Sequence, residues 1–304
     1  MFQPFYPKSP QAPPLKEYEN SSLPNGITVV TAYFKLGAFI KGRFHQFTTE
    51  TYKNWMRSYG MLNNTVIAFT DVPEIKALLE NERSRFPSEM TEVILVDRDK
   101  LWSFQLSDEI KLVFNQKGYP KHEPNTVNPY YSCAMHAKYD VLKYVIEKRM
   151  YRTRYLAWID IGYFREEQKE PFTLLPPTLK SGHIAFTQVF SFYTNLTPRD
   201  IVYDNHVWIA GGFFIGEPQY LMLFIEDYRK STMLMLSKKL MSTDQQVLYS
   251  MYVSAEEFRP RLPLQIFYHT CRCDWFYAGE LCKDEFDKLI RPKKKWQIFY
   301  HHFM

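Results

Sequence analysis

The sequence predicts an α/β protein, a mainly parallel sheet flanked by helices with a smaller lobe toward the carboxyl end. Three observations predict it. Apolar, β-branched runs alternate with helical patterns over residues 27–161, as βαβ units require. Three of those runs end on a carboxylate, at Asp71, Asp97 and Asp160, and parallel sheets bind ligands beyond the carboxyl ends of their strands. No G-x-G-x-x-G follows the first run and no G-x-x-x-x-G-K-[ST] occurs, which argues against dinucleotide and P-loop chemistry.

The elements follow in order. Residues 27–34 are β-branched and apolar, a buried strand. Residues 48–59 read as a helix, with Tyr52, Trp55, Met56 and Tyr59 on one face. Residues 65–71 form a second strand, and Pro73 suits the first turn of a helix through residue 85. Residues 91–97 are the third strand. Residues 132–149 form a helix whose stripe is Val141, Leu142, Val145 and Ile146, and residues 154–161 are the fourth strand.

Beyond this point the pattern changes. Residues 182–192 read as strand, and residues 207–216 as a strand interrupted by Gly211 and Gly212. Glycines weaken a strand unless something approaches its backbone closely. Helices are expected at 217–236 and 242–251, and a last strand at 264–269. Residues 1–26 are rich in Pro and polar residues and read as a stem or linker. Residues 27–304 read as a single domain, with halves at 27–165 and 166–304.

Composition bounds the function. The 304 residues are 45% hydrophobic and 17% aromatic, enough for a full core. The net charge of +5 is too mild and too scattered to argue for nucleic acid. No run of 18 apolar residues is present, so no membrane span is expected. No signal peptide opens the chain, which by itself reads as cytoplasmic. Acceptor patterns for N-glycosylation at Asn20, Asn63 and Asn195 instead fit a secretory, Golgi-type lumen after removal of an anchor. Of four cysteines, Cys133, Cys271, Cys273 and Cys282, the last three lie close together. They fit free thiols with a disulfide from Cys271 or Cys273 to Cys282, or a metal site shared with His269. Lys293, Lys294 and Lys295 read as exposed charge ahead of an aromatic tail packed on the domain.

The stretch Trp158-Ile159-Asp160-Ile161-Gly162 carries the strongest chemical signal. A carboxylate at a strand exit either ligates Mg2+ or Mn2+, which then holds a phosphate-bearing ligand, or caps a turn aided by Gly162. Gly211 and Gly212 would let a sugar or acceptor lie against the backbone. Asp244 is either a general base or, with Thr243, a helix cap. Lys138 either counters a diphosphate or lies on a solvated face. His136 and His206 read as structural.

Taken together, the motifs resemble the HtrL/YibB family. They are Thr31-Ala32-Tyr33-Phe34, Phe69-Thr70-Asp71, Asn128-Pro129-Tyr130 with Lys138, the Asp160 stretch with Arg165, Ile209-Ala210-Gly211-Gly212-Phe213 and Asp244-Gln245. The family is similar to nucleotide-sugar glycosyltransferases of the GT-A fold. The resemblance implies a GT-A-like, Rossmann-type sheet with an acceptor-side lobe, a UDP-sugar-like donor and Mn2+ or Mg2+. It sets Asp160 at the position of the metal-holding D-x-D motif, although this chain reads Asp-Ile-Gly there. It sets Thr31, Tyr33 and Asp71 around the nucleoside, and Lys138 and Arg165 with the donor. Gly211, Gly212 and Gln245 fall beside the acceptor, Asp244 is the base, and His269 is a further metal ligand.

The function these readings imply is transfer of a sugar from a nucleoside diphosphate to a glycan or glycoprotein hydroxyl. The missing second carboxylate motivates an alternative, a non-catalytic nucleotide- or sugar-binding protein on the same scaffold. Phe34-Lys35-Leu36-Gly37 with Lys41-Gly42-Arg43 is a faint nucleotidyltransferase loop.

Overall fold

The computed structural model describes residues 25–41, 45–253, 258–270 and 274–290. The chain opens with β1 (Ile27–Tyr33), a hairpin of β2 (Phe39–Lys41) and β3 (His45–Phe47), α1 (Thr49–Met56), β4 (Thr65–Thr70), α2 (Pro73–Glu82) and β5 (Thr91–Leu95). Short α3 (Trp102–Gln105) and α4 (Ser107–Phe114) lead to the long α5 (Pro129–Glu147) and to β6 (Tyr155–Ile159). Then follow β7 (Ile184–Gln188), α6 (Pro198–Tyr203), β8 (Ile209–Gly216), α7 (Pro218–Ser237), α8 (Asp244–Val253), β9 (Leu264–Phe267) and α9 (Tyr277–Ile290).

Seven strands form one sheet in the order β5-β4-β1-β6-β8-β7-β9. Strands β5, β4, β1 and β6 are mutually parallel, β8 runs against both β6 and β7, and β9 is parallel to β7. The expected mainly parallel α/β sheet is therefore present, with one reversed strand. The chain moves outward from β1 to β4 and β5, then returns to lay β6 on the other side of β1. Connections diverge at that boundary, and such a switch point leaves a crevice beyond the carboxyl ends of β1 and β6. Because β6 pairs with β8, residues 27–165 and 166–304 share this sheet.

Alternation along each strand builds a core on both faces. Val30, Ile67, Phe69, Leu156, Trp158, Phe186 and Phe214 face one layer, packed under α4 to α8. Val29, Val66, Ala68, Ala157, Ile159, Phe213 and Ile215 face the other, under α1, α2 and α9. All of β6 is buried, as expected of a central parallel strand covered on both faces.

The structure departs from the sequence pattern at several points. Strand β8 continues through Gly211 and Gly212, but its register with β7 shifts there, between the Phe186–Phe214 and Gln188–Ile209 pairs. The helix expected from residue 132 starts at Pro129, because the Asn128 side chain accepts from the Tyr131 N–H and caps it. The hairpin and helices α3, α4, α6 and α9 are additional. Cys282 is a free, buried thiol like Cys133, not a disulfide partner. Cys271, Cys273, Gly42, Arg43, the lysine run, the tail after it and nearly all of the stem lie outside the described residues. Among the described residues, no helix is long and apolar enough to cross a membrane.

Arg83 brackets the edge of the parallel half. It is almost fully buried and donates to the carbonyls of Tyr59, Leu62 and Asn64, each at 2.8 Å, to Met90 O at 3.1 Å and to Thr91 Oγ1 at 2.8 Å. Burial lowers its pKa to about 10. The fork thus ties the turn after α1 to β4 and the start of β5, using neutral acceptors. Arg83→Met leaves three buried carbonyls and the half-buried one of Met90 without that donor, and urea unfolding is expected to show a loss of about 3 kcal/mol or more. A loss below about 1 kcal/mol would mean that water reaches those carbonyls.

Candidate functional site

A cleft of about 940 Å³ opens at the switch point. Tyr33 and Phe34 enter it from the end of β1, Asp160, Ile161 and Gly162 from the end of β6, and Gly211 and Gly212 from β8. Helix α5 contributes Tyr131, Ala134, Met135 and Lys138, spaced for one helical face. Helix α8 begins with Asp244 and Gln245, which also line the cleft. The hairpin and α1 add Phe39, Lys41, Phe47, Tyr52 and Trp55. Tyr33 tilts against Tyr52 at 5.3 Å, Phe39 stacks on Phe47 at 5.8 Å, and Tyr52 meets Trp55 edge-on at 5.0 Å.

At the floor sits the ammonium of Lys138, with a side chain only 1% exposed. It donates to Asp244 Oδ2 and to Gly211 O, both at 2.9 Å, and lies 3.5 Å from Asp160 Oδ1. Burial works to lower its pKa, but Asp160 and Asp244 outweigh it, so Lys138 lies above the ordinary lysine value and stays charged. Lys138 is thus not on a solvated face.

Asp244 is 2% exposed. Burial raises its pKa above the ordinary value, and Lys138 works against that rise. Its carboxylate does not cap α8. Gln246 Oε1 instead accepts from the Thr243 hydroxyl at 2.8 Å. Asp160 differs: its side chain is 39% exposed, and its Oδ1 accepts from Trp158 Nε1 at 2.7 Å. The Asp160 N–H also bonds Gly212 O at 2.8 Å, which fixes the strand exit against β8.

The glycines are needed for the protein's own contacts. A Cβ on Gly211 would stand 2.5 Å from Asp244 Oδ2, so its bare Cα makes room for the buried ion pair rather than for a ligand. A Cβ on Gly162 would stand 2.3 Å from Trp55 Cε3. The indole of Trp55 therefore covers the position two residues beyond Asp160, and Arg165 stacks near it, 5.4 Å from that ring and 4.9 Å from Phe276.

Not every expected site residue reaches the cleft. Thr31 is buried and accepts from the Tyr59 hydroxyl at 3.1 Å. Asp71 accepts the Lys35 N–H at 2.9 Å and pairs with Arg98 at 3.2 Å, so it staples the ends of β1 and β4. His269 packs on the Tyr277 ring at 5.0 Å. None of the three lines the cleft, whereas Tyr33, Lys138, Asp160, Arg165, Gly211, Gly212, Asp244 and Gln245 do. Gln245 donates to Ile209 O at 2.8 Å. The sequence reading missed the placement of Trp55 over Gly162, because nothing local in either segment announces the other.

The family model "Bacterial protein of unknown function (HtrL_YibB)" matches residues 25–283. The chain belongs to the HtrL/YibB family. Protein HtrL of Escherichia coli (strain K12) is 24% identical over 253 residues, 74% of this chain and 83% of that protein. The HtrL/YibB match spans the whole sheet and the cleft, from β1 to the middle of α9.

A resident divalent cation fits this site poorly. Among the described residues, no group of three or more His, Cys, Asp or Glu side chains converges. Asp160 offers one uncommitted oxygen beside an ammonium. A divalent ion roughly 6 Å from that ammonium meets repulsion of about 5 kcal/mol at an effective dielectric of about 20. Among the described residues the expected Mn2+ or Mg2+ thus finds no converging ligand set in the cleft, and His269 lies outside the cleft lining.

Gly211→Ala is expected to break the Lys138–Asp244 contact and lower the melting temperature by several degrees, since about 1 kcal/mol shifts it by roughly 2–4 °C at this size. An unchanged melting curve would contradict the packing described. His136 adds a pH dependence. Burial first, then Lys138, lowers its pKa to about 3, and its ring meets the Tyr228 hydroxyl and, at 3.3 Å, Ser132 Oγ. Unfolded histidine takes its proton near pH 6.5, so acid favours the unfolded chain. This contribution is full above about pH 6.5 and falls by about 1.4 kcal/mol per pH unit below it. Denaturant midpoints at pH 7.5, 6 and 5 should show the slope in the wild type, and a smaller one in His136→Asn.

Proposed function

We propose that the cleft binds a nucleoside-diphosphate sugar and transfers the sugar to a hydroxyl of a glycan or glycoprotein. The observation that carries this reading is the position of Asp160. It is the carboxylate at the switch-point exit of β6, accessible in a cleft of about 940 Å³ walled by aromatic rings. Such a crevice is the usual ligand site of open α/β sheets. Its size accommodates a dinucleotide-sized ligand, and aromatic rings suit both a base and the apolar face of a sugar. The likeness to nucleotide-sugar glycosyltransferases that the HtrL/YibB motifs imply at Asp160 is the expectation this reading follows.

In the proposed reaction, the acceptor oxygen bonds the anomeric carbon as the bond from that carbon to the diphosphate oxygen breaks. The electron pair leaves with the diphosphate. The hydroxyl proton passes to a carboxylate, and accessibility assigns that task to Asp160. Asp244, the base expected from the sequence, has its Oδ2 bonded to Lys138 and is almost sealed from the cleft. Trp158 Nε1–H holds the Asp160 carboxylate in place, so little reorganisation accompanies proton transfer.

The sealed Asp244 also favours a second reading, a rigid binding protein without turnover. The two readings separate in a diphosphate-release assay run with a set of nucleotide sugars and mixed glycan acceptors. Turnover by the wild type, reduced about 10²- to 10⁴-fold in Asp160→Asn, supports transfer. Tight nucleotide binding without turnover of any donor supports the binding protein, and full activity in Asp160→Asn removes the catalytic role.

A further inference from the structure

The site holds a cation of its own where paired carboxylates would otherwise ask for a metal. The Lys138 ammonium sits between Asp160 and Asp244 at 3.5 and 2.9 Å. It donates to Asp244 Oδ2 and to Gly211 O and pairs ionically with Asp160, so its charge is already committed within the protein. The position two residues past Asp160, where a second carboxylate would complete a metal pair, is a glycine capped by the Trp55 ring. A side chain there collides with the indole. Two independent features, one electrostatic and one steric, therefore oppose a divalent ion beside Asp160.

The charge of a diphosphate must then be met by the protein. Lys138 is spent on its own carboxylates. Arg165 and Lys41 are the other cationic side chains among the cleft-lining residues. Arg165 is held between the rings of Trp55 and Phe276, and Nη1 bonds Gly162 O at 3.2 Å. The nearest carboxylate, on Glu166, stands 3.8 Å away, beyond hydrogen-bonding length. A guanidinium fixed by stacking presents its remaining N–H groups as a fork suited to phosphate oxygens. Lys41 lines the cleft 5.8 Å from the Tyr131 ring, and Tyr131 first, then Tyr52 and Asp160, hold its pKa above the ordinary lysine value.

The geometry points to a diphosphate site that works without a divalent cation: Lys138 neutralises and positions Asp160 and Asp244, and Arg165, aided by Lys41, binds the diphosphate directly. This inference rests on the proposed reading of the cleft as a nucleotide-sugar site. In it Lys138 is a positioning residue and Arg165 a substrate-binding one.

Calorimetric titration of the full chain with UDP, GDP, ADP and CDP, in EDTA and in excess Mn2+, tests the inference. One diphosphate is expected to bind equally well in both. Binding that requires Mn2+, or tightens tenfold or more with it, overturns the metal-free site and leaves the proposed function standing. No binding under either condition overturns both. Spin-resonance titration of MnCl2 into the protein alone, expected to show no tightly bound Mn2+, needs no variant. Arg165→Met should weaken the diphosphate about tenfold or more and leave the matching nucleoside unchanged. Equal losses for both ligands, or none for the diphosphate, overturn the role given to Arg165. Arg165→Lys, which keeps the charge without the fork, should lie between the two.

Discussion

A buried ammonium holds the site together. Burying a lone charge is very costly, and removing one partner of a buried pair is typically worse than never having had the pair. Lys138 therefore constrains everything around it. It projects from α5, receives a carboxylate from the start of α8, another from the exit of β6, and a carbonyl from β8. Four elements from distant parts of the chain must meet to satisfy it. Gly211 belongs to the same constraint, since no side chain fits between its Cα and Asp244.

That arrangement divides the two carboxylates. Both face the same cation, yet one is sealed and the other is accessible. The difference comes from position in the fold. Asp244 starts a helix tucked under β8, whereas Asp160 stands where β6 leaves the sheet and the chain turns into the crevice. Trp158, two residues earlier on the same face of the strand, donates to Asp160 and lies beneath Lys138, 5.6 Å from its ring. A single strand thus supplies the carboxylate, its hydrogen-bond donor and an aromatic surface for the cation.

Much of the fold was legible in the sequence. Strands at residues 27–34 and 65–71 were readable because a strand buried on both faces is an apolar run bounded by polar residues; the one at 91–97 was readable from its apolar, β-branched residues although β5 is an edge strand with only Val93 buried. Helix α5 was readable through its period, and Asp160 through the abrupt end of the run before it. The hairpin and the short helices α3, α4 and α6 were not readable. Each is only a few residues long, and so short a window carries no period that separates helix from strand from loop.

The sequence by itself determined the class of fold, the order of the parallel strands' polar exits and the membership in the HtrL/YibB family. These follow from local pattern, which is written in consecutive residues. Only the tertiary structure decided the roles within the site. It sent Thr31 and Asp71 to structural bonds, sealed Asp244, left Asp160 accessible and laid Trp55 over Gly162. Lys138 and Asp244 are 106 positions apart, and Trp55 and Gly162 are farther apart than that. Contacts at such separation depend on how helices pack across a sheet, and no short segment of sequence records that distance.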